Sequence, residues 1–112
     1  MDAARELLDL HRALVAAERE QYERLRGRLP DQKFLEALLN DPELRWLAPL
    51  TALVARLDEV DDAEVKDMLR PDPHGNGFQR RYAEALQRSA DVAVAHGRTM
   101  SALREDATRA AR

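Results

Sequence analysis

The 112-residue sequence carries 18 Lys and Arg against 21 Asp and Glu, a net charge of −3, with 35 % charged and only 4 % aromatic residues. Charges of both signs are interspersed, which describes a solvated surface and disfavours nucleic acid as the main partner. The absence of cysteine excludes disulfides, thiol catalysis and Cys-type zinc sites. A chain of this length buries about 60 % of its unfolded surface as one domain without such support. Met1-Asp-Ala-Ala-Arg-Glu6 lacks the basic and apolar regions of a signal peptide, and no window approaches about 18 uninterrupted apolar residues. The expected location is the cytoplasm, with no membrane partner. Arginine outnumbers lysine sixteen to two and alanine is abundant, a bias of GC-rich bacterial genomes.

Residues 3–26 place Leu7, Leu8, His11, Leu14, Val15, Glu18, Tyr22 and Leu25 on one helical face, opposite charged pairs such as Arg5 with Asp9 and Glu20 with Arg24. That is a long amphipathic helix. Gly27 and Pro30 end it, and Asp31 is a plausible cap for a short helix over 32–40 containing Phe34, Leu35, Leu38 and Leu39. A central helix over 42–60 should start with Asp41 as cap and Pro42 at its first position. Pro49 must kink or restart it, which sets Trp46 at a corner and predicts that its indole is largely buried. Asp61-Asp62 can cap a further piece over 62–69.

The segment 71–77, Pro-Asp-Pro-His-Gly-Asn-Gly, forbids regular helix and marks an exposed loop. A last long helix over 78–105 then presents Phe78, Tyr82, Leu86, Val92, His96, Met100 and Leu103 on one face. Gly97 is a possible bend within it, and residues 106–112 are expected to fray. Seven arginines against four acids give residues 78–112 a charge of +3, leaving −6 for the rest, so the halves should attract weakly. Residues 1–112 thus read as one all-α domain, a bundle of two long helices packed with shorter ones.

Two constellations carry possible chemistry. His11 and Glu18 on the first helix and His96 on the last are polar residues on apolar faces; antiparallel packing would bring them together as a metal or small-ligand site. The spacing does not support it, because the sequence has no Glu-x-x-His and no His-x-x-x-His. A histidine on an apolar face is more often a hydrogen-bonded core residue, and Glu18 can simply pair with a nearby arginine or with His96. Gly75, Asn76 and Gly77, followed by Arg80 and Arg81, form the second set, in which backbone amides before a helix could hold an anion. The bland alternative is a turn with a helix cap, since neither the phosphate-loop nor the dinucleotide pattern is present. No catalytic motif and no cofactor fingerprint is found.

The motif Asn40-Asp-Pro-Glu-Leu-Arg-Trp46-Leu-Ala-Pro49-Leu-Thr51, with Leu10-His-Arg-Ala-Leu14 before it and Arg81-Tyr-Ala-Glu-Ala-Leu-Gln87 after it, resembles a group of short uncharacterised bacterial proteins. The resemblance covers most of the chain and implies no activity. The long helices outreach the broken elements between them, so an apolar strip should stay uncovered. The expected function is protein association, including self-association as a homodimer. The alternative is a ligand or metal site using His11, Glu18 and His96.

Overall fold

The structure, a computed structural model, describes residues 3–110. Its elements are α1 (Ala4–Arg26), α2 (Asp31–Asn40), a 3-10 turn (Arg45–Leu47) running into α3 (Ala48–Val54), α4 (Asp62–Met68), α5 (Gly77–Arg88) and α6 (Ala90–Ala110). Among the described residues there is no strand. The fold is all-α, with two long helices, α1 and α6, packed together and covered by the shorter ones. It measures 52 × 27 × 22 Å, and α1 alone extends about 35 Å.

In α1, Leu7, Leu10, Leu14, Glu18 and Tyr22 form one buried stripe, because steps of three and four residues return to the same face. The helix stops where Gly27 takes φ +85° and donates to the Glu23 carbonyl at 2.7 Å, a left-handed turn that costs glycine little. Thr99, buried on α6, donates its hydroxyl to the Ala95 carbonyl one turn back, and that oxygen also lies 3.1 Å from the Glu6 carbonyl of α1. With Glu18 meeting Arg88 at the other end, α1 and α6 run antiparallel.

The central segment departs from the single kinked helix expected over 42–60. Asp41 is extended and works as a turn residue, accepting the Glu43 amide at 2.9 Å and the Tyr22 hydroxyl at 2.6 Å. Regular helix begins only at Ala48, where Pro49 falls in the first turn and its missing donor is no loss. It ends at Val54, after which Arg56 and Glu59 donate three residues back in successive turns. Two prolines seven residues apart leave room for one short helix each side of the corner, not for a continuous rod. Asp31 also differs from expectation: it is the first helical residue of α2 rather than its cap, with its carboxylate on Arg19. Asp61 does cap α4, accepting the Glu64 amide at 2.8 Å.

The last long helix is two helices. Ser89 is extended at φ −120°, ψ 118°, and its hydroxyl oxygen accepts the Val92 amide at 3.3 Å, so it ends α5 and opens α6 as an N-cap. Gly97, the expected bend, lies inside α6 with open space around it. The helix continues through the expected tail to Ala110; Ala111 and Arg112 lie outside the described residues. Trp46 is largely though not fully buried at the corner before Pro49, packed against the core with its ring 5.6 Å from Phe78. Phe78 in turn stacks on the fully buried Tyr82 at 5.5 Å.

Candidate functional site

The three polar residues on apolar faces, His11, Glu18 and His96, are each held by a different partner. His11 Nε2 lies 2.9 Å from the Thr51 hydroxyl of α3. Buried Glu18 takes the Arg88 guanidinium at the end of α5. His96 Nδ1 lies 2.6 Å from the Tyr82 hydroxyl. Burial lowers both imidazoles below their usual range and pushes the Tyr82 phenol up, so all three groups are neutral near pH 7. Among the described residues no three His, Asp or Glu side chains gather as a metal set. His11, Glu18 and His96 do not come together, because α3 and the end of α5 supply neighbours for His11 and Glu18 that the helical faces alone did not reveal.

The loop before α5 is built around a cap. Asn76 accepts the Gln79 amide at 2.8 Å while Gln79 Oε1 accepts the Asn76 amide at 3.1 Å, a reciprocal capping box. The His74 amide goes to the Asp72 carboxylate and the Gly75 amide to the Asp72 carbonyl. The amides of residues 74, 75, 76 and 79 are therefore taken within the chain, and Gly75 is small because a Cβ there would run into Gln79. Gly77 opens α5 in free space. Arg80 is exposed, and Arg81 lies over the Trp46 ring at 5.4 Å with Glu84 beside it. Gly75 and Asn76 thus serve the cap of α5, and Arg81 covers the indole.

Uncovered apolar surface lies in a groove between α1 and the short helix α2, not along the two long helices together. Leu29 joins the helices: its amide donates to Glu23 Oε2 at 2.8 Å and its carbonyl accepts from Arg19 at 2.8 Å. Phe34 packs edge-on against Tyr22, ring centres 6.3 Å apart, with the Arg19 guanidinium 4.9 Å above it. That anchors α2 by one face only. The resulting groove, about 590 Å³, has Val15, Phe34 and Leu38 inside it and Leu8 and Leu35 at its edges. Leu8 is 41 % exposed, Leu35 53 % and Leu39, one turn beyond Leu35, 70 %.

The cations in and beside the groove are paired within the chain. Arg19 pairs with Asp31 at 3.0 Å and Arg12 with Asp9 at 3.8 Å, while Lys33 and Glu36 pair at 3.6 Å along α2. Neutral His11 lies among the lining residues. An apolar channel with neutralised rims accepts a row of aliphatic or aromatic side chains and offers little to a charged ligand. Phe34, Leu35, Leu38 and Leu39 read in the sequence as one apolar face of α2, and that pattern does not say which of them the fold leaves uncovered.

No protein-family model, curated protein or solved structure matches the chain, and no described helix is long and apolar enough to cross a membrane.

Proposed function

We propose that this protein is a small helical docking module of the bacterial cytoplasm, acting by protein association through its α1–α2 face. The observation that carries the reading is the groove itself: an apolar channel rimmed by paired charges, beside a row of exposed leucines on a helix held from one side. A helix laid into such a groove would bury Leu8, Leu35 and Val15 together, the usual way an amphipathic helix is recognised. The experiment is site-specific photo-crosslinking in the cells that make the protein, with the reactive group at position 35 or, as a control, at exposed Arg104 on α6. The expected result is an adduct of discrete mass from position 35 alone. Equal yields at 35 and 104 would sink the proposal.

A further inference from the structure

We propose that Asn76-Gly77, at the start of α5, is a modification site: the asparagine loses ammonia in the folded protein and becomes aspartate and isoaspartate. The reaction is intramolecular and needs only solvent. The Gly77 amide nitrogen attacks the Asn76 side-chain carbon Cγ, the new N–Cγ bond closes a five-membered ring, and the Cγ–Nδ2 bond breaks, releasing ammonia that carries away the amide proton. Water then opens this succinimide at one of its two carbonyls. Opening at the old main-chain–side bond to Cγ restores an ordinary backbone with an aspartate side chain; opening at the other carbonyl leaves the chain running through Cγ, as isoaspartate. Glycine has no side chain to hinder its own nitrogen, so it is the residue that best permits the attack.

The structure leaves the reacting groups free. Asn76 and Gly77 are exposed, and Asn76 is extended at φ −67°, ψ 175°. The Gly77 amide stands at the first helical position, where the helix offers it no carbonyl, and it has no other acceptor among the described residues. Asn76 Oδ1, on which charge develops during the attack, accepts the Gln79 amide at 2.8 Å, a donor at a helix N-terminus that stabilises an oxyanion. Gly77 meets no structural demand of its own: it is helical and not left-handed, and a Cβ there would touch nothing within 4 Å. The other asparagine is arranged in the opposite way. The amide that follows Asn40 is held by the Ala37 carbonyl at 2.7 Å, and Asn40 Nδ2 donates to the Glu36 carbonyl at 3.0 Å. The two products differ in what they do to α5. Aspartate keeps the cap and adds a negative charge where the helix dipole favours one, whereas isoaspartate lengthens the main chain by a methylene and takes the capping carbonyl out of the side chain. The reciprocal box with Gln79 is then lost two residues before Phe78, which touches both Trp46 and Tyr82.

Peptide mapping by mass spectrometry tests the proposal on the full chain, kept folded for days in mildly alkaline buffer. The peptide carrying Asn76 should gain the mass of an amide-to-acid exchange and split into two products, while the peptide carrying Asn40 stays unchanged. A protease that cuts before aspartate tells the products apart, since it passes over isoaspartate. Gly77→Ala should lose the mass gain over the same interval and keep the helical circular dichroism of the wild type, because the added methyl group meets no neighbouring atom. An Asn76 that keeps its amide in the folded wild-type protein overturns the proposal, whether or not it reacts in guanidinium, and reaction of Gly77→Ala at the wild-type rate overturns the role given to the glycine nitrogen.

Discussion

Tyr82 and His96 stand seven residues on either side of Ser89, and their side chains meet at 2.6 Å, hydroxyl to Nδ1. The bond fastens α5 back against α6 across the break between them, and it joins a fully buried phenol to a partly buried imidazole. Burial is what makes the pair sensitive to acid.

Folded His96 has a pKa below its ordinary value of 6.5, through desolvation, and His11 is lowered in the same sense and for the same reason. Protons therefore bind the unfolded chain first. Stability contributed by the neutral imidazoles is fully present above about pH 6.5 and is lost as pH falls from there through the depressed folded values. Asp41, lowered chiefly by the Tyr22 hydroxyl and then by the Glu43 amide, and Glu23, lowered chiefly by the Leu29 amide, lose their contributions only at more acid pH, near and below their usual range. Thermal melts between about pH 7.5 and 5.5 should show the melting temperature dropping in the wild type, and dropping less in His96→Gln. Parallel curves for the two proteins would refute the assignment.

Glu18 and Arg88 are 70 residues apart in sequence and tie α1 to the end of α5. The carboxylate is buried, while the arginine is about a third exposed. Removing the arginine leaves the carboxylate without its charged partner, so Arg88→Ala should destabilise the fold by about 1–3 kcal/mol. Replacing both partners with apolar residues of similar length, Glu18→Leu with Arg88→Met, should recover most of that loss, to within about 1 kcal/mol of wild type. Urea unfolding of the three proteins decides it; a double variant weaker than Arg88→Ala alone would show that the pair contributes net stability.

The Glu18 case shows what was readable in advance. Its place on an apolar face at the spacing of Leu7, Leu14 and Tyr22 marked it as buried, and an arginine partner was among the readings that its chemistry allowed. Which arginine was not readable, because the break at Ser89 brings Arg88 there, and a single serine between good helix formers competes poorly as a stop signal against Gly97 nearby. Helices α1 and α2 were legible to within a residue or two, being bounded by Gly27, Pro30 and Pro42. The central segment was not, since two prolines fix where a helix cannot run and leave its remaining length to tertiary packing. Leu8, Leu35 and Leu39 looked like core from periodicity alone; their exposure depends on α2 touching α1 from one side, which no local pattern states.

Gly75 is held small by the capping box of α5. A methyl group at 75 would meet the Gln79 side chain that accepts the Asn76 amide. Gly75→Ala and Asn76→Ala should each destabilise by about 1 kcal/mol, and the double variant by less than the sum, because both disrupt the same box. Full additivity in chemical denaturation would mean that the glycine serves something other than the cap.

Trp46 presents the opposite case, a group whose polar atom the fold does not use. Its indole packs between Phe78 and the Arg81 guanidinium, yet Nε1 is shielded from solvent and finds no acceptor among the described residues. A buried donor without a partner carries its desolvation penalty uncompensated. Trp46→Phe removes that donor together with some apolar contact, so the two changes oppose each other and the net cost should be about 1 kcal/mol or less. Trp46→Ala removes the whole ring from between Phe78 and Arg81 and should cost about 3 kcal/mol, the lower end for a large aromatic because the site is partly open. The native emission should be only partly accessible to acrylamide, and fully accessible after unfolding. If Trp46→Phe proves as costly as Trp46→Ala in urea unfolding, the indole N–H is satisfied in solution, and the ring is held at this corner by a hydrogen bond rather than by stacking alone.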